Sequence, residues 1–147
     1  MSKLSGIRVV DLSLFLPGPM MTSMLADHGA EIIKIEPPGG DPARQMEPFE
    51  EGQSVWFRNI NRGKQSVVLD LKQKDNLQKL YRLVEESDIF VEAFRPGVAN
   101  RLEIDYETLS AINPRIIYCS ISAFGQDGPL AHHPAHDLAV EAFAGFM

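Results

Sequence analysis

Two short β-branched runs, Ile7-Arg8-Val9-Val10-Asp11-Leu12 and Glu31-Ile32-Ile33-Lys34-Ile35, frame a segment whose Met20, Met21, Met24 and Leu25 recur at helical spacing. Strand, helix and strand in that order make a βαβ crossover, which is right-handed in nearly all sheets, so the sheet must begin parallel. Leu16-Pro17-Gly18-Pro19 reads as a loop before a helix over Met20 to His28, and Gly29 suits the helix C-cap.

The alternation continues. Pro37 to Lys64 is rich in Pro, Gly and charge and reads as a long irregular excursion, of the kind that is usually functional or mobile. Ser66 to Leu71 reads as a strand, Asp75 to Glu86 as a helix with Leu77, Leu80, Tyr81 and Val84 on one face, and Asp88 to Glu92 as a strand. Tyr106 to Ile112 follows as a short helix and Arg115 to Ser122 as a strand. Strands and helices in strict turn predict an α/β fold, a doubly wound Rossmann-like and mainly parallel sheet. Pro134 is placed to open a last helix running from Ala135 toward Met147, with no Gly cap expected, and a chain that stops inside a helix is expected to be cut rather than finished.

With 147 residues, 44% of them hydrophobic, one globular unit with a single core is expected. The formal net charge is −6, and the 14 Lys and Arg are dispersed, which argues against nucleic acid or an anionic membrane as partner. Cys119 is the only cysteine, so no internal disulfide and no thiolate metal cluster can form. It reads as an apolar strand residue, and a reducing cytoplasm fits. No charged leader, cleavage site or membrane-spanning run is recognisable, so the expected product is soluble and unprocessed.

Several site chemistries can be set aside. The first strand is not followed by Gly-x-Gly-x-x-Gly, which disfavours nicotinamide or flavin. Gly63-Lys64 lacks the upstream glycine and the following Ser or Thr of a P-loop, and no Gly-x-Ser-x-Gly occurs. His132, His133 and His136 with Asp127 and Asp137 lie close together, but Pro134 interrupts them and no ligand spacing is recognisable, so no metal is expected.

Read in order, Leu4-Ser5-Gly6-Ile7-Arg8-Val9-Val10-Asp11-Leu12, Pro17-Gly18-Pro19, Leu25 to Glu36 and Asn61 to Lys72 resemble successive motifs of the family III CoA-transferases. The resemblance continues through Phe94-Arg95-Pro96-Gly97-Val98, Asn113 to Tyr118 and Phe124 to Pro129 to His136-Asp137-Leu138, and so covers essentially the whole chain. That family includes formyl-CoA transferase, carnitine CoA-transferase and alpha-methylacyl-CoA racemase. The resemblance implies coenzyme A or acyl-CoA as substrate, and for transferases a carboxylic acid acceptor. Family members are more than twice as long, carry a second small domain and form interlocked homodimers, so residues 1–147 are expected to be the N-terminal part of the CoA-binding large domain.

The same resemblance assigns the site. Leu69-Asp70-Leu71-Lys72 is expected to line the nucleotide with Lys72 near phosphate, and Ala93-Phe94-Arg95 with Arg101 to hold phosphate oxygens from the carboxyl edge of the sheet. Where members often stack an Arg on adenine, this chain has Pro37, so stacking must be weaker or come from another group. The acyl end is expected at Leu16-Pro17 and at Ala135-His136-Asp137-Leu138, where free N–H groups of a helix start can stabilise a thioester oxyanion by about 3 kcal/mol per donor. Asp137 also suits the helix N-terminus electrostatically.

Two chemistries follow from the resemblance. In a transferase an Asp attacks the thioester to form an anhydride and a second acid is then loaded; that Asp falls past Met147. In a racemase His136 and an Asp exchange the proton beside the thioester on opposite faces. Leu16, Pro17 and His136 match the racemase pattern, while Leu138-Ala139-Val140-Glu141-Ala142 match the transferase one. Both need a carboxylate beyond this sequence, so a third reading is a CoA-binding fragment with no turnover of its own.

Overall fold

The computed structural model describes residues 2–146. Strand β1 (Arg8–Asp11) leads into helix α1 (Pro17–Asp27) and strand β2 (Glu31–Glu36). A short 3-10 helix (Pro42–Gln45), a hairpin of β3 (Phe49–Glu50) and β4 (Gln53–Ser54), and helix α2 (Val55–Ile60) precede β5 (Lys64–Val68). Helix α3 (Lys74–Glu85), β6 (Ile89–Glu92), α4 (Val98–Arg101), α5 (Tyr106–Ile112), β7 (Ile117–Ser120) and α6 (Asp137–Phe143) complete the order.

The main sheet is parallel throughout, in the order β5-β2-β1-β6-β7. Period-two alternation splits its core into two layers. Val9, Ile32 and Val91 face α1, packing with Met21, Leu25 and Ala26. Val10, Ile33, Ile35 and Phe90 face the other way, onto Leu77, Leu80 and Val84 of α3 and Leu109 of α5. Strands covered on both faces must be buried along their length, and β2 is, from Ile32 to Glu36. The doubly wound α/β fold expected from the alternation is the one observed.

Several boundaries differ from expectation. Helix α1 starts at Pro17, not Met20, because Pro at the first helical position has its φ preset and needs no N–H partner. Pro37 to Lys64 is not irregular: Asp41 caps the 3-10 helix through Ala43 N–H, and Ser54 caps α2 through Phe57 N–H. These short elements are too brief to show a periodic pattern. Strand β5 runs Lys64–Val68, earlier than Ser66 to Leu71, and its polar start is drawn into the sheet by side-chain bonds of Lys64. The last helix opens at Asp137 with His136 as N-cap, so Pro134 and Ala135 precede it.

That helix also ends within the chain, contrary to the expectation of an uncapped run. Gly145, at φ +75°, receives the chain in the left-handed region, with Gly145 N–H on Ala142 O at 3.1 Å and Phe146 N–H on Glu141 O at 2.9 Å. This is the Schellman arrangement. Among the described residues no helix is long and apolar enough to cross a membrane.

Candidate functional site

In an open parallel sheet the crevice for a ligand opens at the carboxyl ends of the strands, where successive crossovers leave in opposite directions. Here that switch point lies between β1, whose crossover leads to β2, and its other neighbour β6. An open cleft of about 220 Å³ sits at this edge. Leu12 and Leu14 follow β1, Ile35 to Pro38 end β2, Leu69 to Lys72 follow β5, and Phe94 and Leu102 close the far side.

Each wall has a local cause. Leu69 extends the ladder by one bond, N–H to Glu36 O at 2.9 Å, and is buried. Asp70 then turns the chain, its carboxylate accepting Lys72 N–H at 3.1 Å and its carbonyl accepting Gln73 N–H at 3.0 Å. Lys72 is left exposed at the rim. Across the cleft the buried Glu92 carboxylate accepts Phe94 N–H at 2.6 Å and bonds the Ser120 hydroxyl, which fixes the turn through Ala93 to Phe94.

The cleft thus gathers Leu69, Asp70, Leu71, Lys72 and Phe94 of the expected residues. Arg95 and Arg101 are exposed beyond Phe94 and do not line it; α4 supplies Leu102 instead. Gly97, at φ +81°, starts α4 and lies against Arg101 Nη1. Leu16 and Pro17 form the N-terminal end of α1, outside the cleft wall. His136, Asp137 and Leu138 are exposed on α6, which is tied to the loop before it by an edge-to-face contact of Phe143 with Phe124 at 5.3 Å. Ala135 is half-buried. No described residue brings this last group against the cleft.

At Pro17-Gly18-Pro19 the backbone comes close to the protein's own β1–α1 loop. A Cβ on Gly18 would lie 2.2 Å from the Ser13 side chain. Phe15, between them, holds a left-handed φ of +62° with half its surface exposed, a conformation costly for an aromatic residue.

Beneath this loop is a buried ionic network that pattern reading missed. Asp11, with no exposed surface, accepts Ser13 N–H at 2.9 Å, the Ser13 hydroxyl, the Thr22 hydroxyl at 2.6 Å and Lys64 Nζ at 3.1 Å. Lys64 also donates to Pro19 O at 2.8 Å and Asn61 Oδ1 at 2.9 Å. Lys34 Nζ donates to Ser13 O at 2.7 Å and lies 3.0 Å from Asp41 Oδ2, an ion pair without directed hydrogen-bond geometry. Burial lowers the Lys64 ammonium to about 8 against the opposing pull of Asp11. The alternating charges in an otherwise apolar strand, Lys34 and Glu36 in β2, were the available signal.

Glu36 belongs to both this network and the cleft. Burial disfavours its charge, yet Arg44, Ser66 and the Asp41 N–H together outweigh that and hold the carboxyl at about 2. Arg44 grips it with Nε at 2.8 Å and Nη2 at 2.7 Å. Burial, then the Glu92 charge, raises the Cys119 thiol, as suits an unreactive strand cysteine. Among the described residues no three His, Cys, Asp or Glu side chains converge to hold a metal.

The sequence pattern of CoA-transferase family III matches residues 4–147. The acetyl-CoA:oxalate CoA-transferase of Acetobacter aceti is 50% identical over 97% of this chain and 37% of its own length. The succinyl-CoA:glutarate CoA-transferase of Mus musculus is 39% identical over all of this chain and 34% of its own. A CAIB/BAIF family protein from Brucella suis superposes with a TM-score of 0.95 at 38% identity, over 99% of this chain and 40% of that one. The chain therefore spans well under half the length of these relatives.

Proposed function

The chain belongs to CoA-transferase family III, and from that premise we propose that it is the CoA-gripping part of an enzyme that moves CoA between carboxylic acids. The observation that carries this reading is the cleft at the β1/β6 switch point, apolar in its depth and cationic at its rim. In it adenosine lies against Leu71, Phe94 and Leu102, with Pro37 and Pro38 providing a flat edge where an Arg would stack. Lys72 at the rim, and Arg95 and Arg101 from beyond Phe94, reach the phosphates from solvent, where charge-assisted bonds cost little desolvation. The thioester is directed past Leu16 and Pro17 toward the N-terminal end of α6 at Ala135 to Leu138.

The transfer step needs an Asp beyond residue 147: it attacks the thioester carbonyl, forming a mixed anhydride and expelling CoA thiolate, which returns to the aspartyl carbonyl and releases the donor acid. The acceptor carboxylate then displaces the thiolate to form a second anhydride, and the thiolate attacks its acyl carbon, giving the new acyl-CoA and the free Asp. On this account residues 1–147 are the first part of the large domain of a cytoplasmic, interlocked homodimer, and bind CoA without turnover. A second reading, acyl-CoA racemization, draws on His136: its exposed imidazole makes no hydrogen bond among the described residues and is available to carry a proton.

Calorimetric titration of CoA into the 147-residue chain tests the grip. Saturable binding is expected, weakened about tenfold by Lys72→Ala or Arg95→Ala, since hydrogen bonds to charged groups contribute about 1.5–3 kcal/mol. Absent binding, or variants that bind like the parent, would sink the proposal. In a family-length protein, deuterium entering beside the thioester without an acceptor acid would favour racemization, and strict acceptor dependence would favour transfer.

A further inference from the structure

A second groove, of about 450 Å³, is lined by Arg44, whose partner Glu36 lines the cleft, and groove and cleft share no lining residue. The 3-10 helix, the β3–β4 hairpin and α2 build it, all within the segment Pro37 to Lys64. Although the chain has 20 acidic against 14 basic residues, this groove is lined by Arg44, Arg58 and Arg62 and by no carboxylate. The acids that pair with them, Glu36, Glu50 and Asp27, stand outside the lining.

Arg62 engages every nitrogen, Nε and Nη2 with Asp27 and Nη1 with Asn59 O, and supplies charge to the groove, whereas Arg44 and Arg58 each keep a nitrogen with no hydrogen-bond partner among the described residues. Arg44 uses Nε and Nη2 on Glu36, and its plane is fixed over the Phe57 ring at 3.9 Å. Arg58 gives only Nη2, to Glu50, so its Nε and Nη1 make no hydrogen bond among the described residues. The side-chain amides of Gln45 and Gln53 line the same groove, likewise without a partner there. Three planar cations and two amides around a small-molecule volume match the acceptor geometry of an oxyanion with more than one charge.

We infer that this arginine groove is a binding site for a small dianion, a dicarboxylate or a phosphate, distinct from the CoA cleft. The inference stands independently of the proposed reaction, because its readout is anion binding by the chain itself. At low ionic strength, succinate and inorganic phosphate are titrated calorimetrically, with chloride as control. One-to-one binding is expected, lost about tenfold in affinity in Arg58→Gln and in Arg62→Gln. Both arginines form exposed pairs that contribute little to stability, so the ligand-free melting temperature should hardly move.

Binding of succinate alone identifies a carboxylate ligand, of phosphate alone a phosphate, and of both a general dianion site. In the unaltered chain, side-chain NMR shifts on saturation should concentrate at the Nη1 protons of Arg44, the Nε–H of Arg58 and the amides of Gln45 and Gln53. No saturable binding of either probe would overturn the inference. So would affinity untouched by both substitutions, or shifts centred on Lys72 and Phe94.

Discussion

Asp11 has no exposed surface, and its carboxylate anchors Ser13, Thr22 and Lys64 at once. Removing one partner of a buried pair leaves the other charge unpaired, so Asp11→Ala should destabilise the chain by about 3–5 kcal/mol in urea unfolding. Asp11→Asn keeps the acceptor oxygen and should cost distinctly less. Lys64 makes a separate prediction in pH. Its folded value near 8 lies below the usual 10.5, so between these the unfolded chain holds a proton that the folded chain has released. Stability should therefore rise as pH climbs through that window, and Lys64→Met should flatten the slope. The sequence showed Asp11 only as the end of a strand. Ser13 is two positions away, but Thr22 and Lys64 stand 11 and 53 positions away, and no local pattern reports pairing at that distance.

At the scale of elements, α1 was visible in its Met and Leu spacing but its first turn was not, because Pro17-Gly18-Pro19 carries loop residues used here to begin a helix. Gly18 is required by contact: a methyl there would overlap the Ser13 side chain at 2.2 Å. Gly18→Ala should cost about 1–3 kcal/mol through overpacking and displace the β1–α1 loop. Thermal unfolding measures the first effect, and a parallel loss of CoA affinity the second. An affinity equal to the parent's would mean that the loop does not shape the ligand site. Strands with β-branched runs were legible to within a few residues, whereas the 3-10 helix, β3, β4, α2 and α4 were not. Each of these is shorter than the period needed to reveal it; the 3-10 helix and α2 are held by their caps Asp41 and Ser54 and by the pairs Arg44–Glu36 and Arg58–Glu50.

Over the whole molecule, the doubly wound sheet could be read in advance because alternation of strand and helix leaves few topologies. The site divided along the same line. Leu69 to Lys72 and Phe94 follow strand ends and fall together at one sheet edge, as strand order dictates. His136 and Asp137 depend on a connection between β7 and α6 that no sheet rule fixes, and the described chain leaves them away from the cleft.

Strand order also sets a timetable for assembly. β1 is the earliest strand made and the middle one of five, with partners 23 and 80 residues downstream. Half its hydrogen bonding must wait until β6 has been synthesised, and such distant pairing is slow. Nascent chains stalled with only residues up to Glu86 outside the ribosome should be cut readily by protease throughout. Those exposing Ser120 should become resistant in a single step, because the strand that ribosomes release first gains its second neighbour only when β6 has followed it.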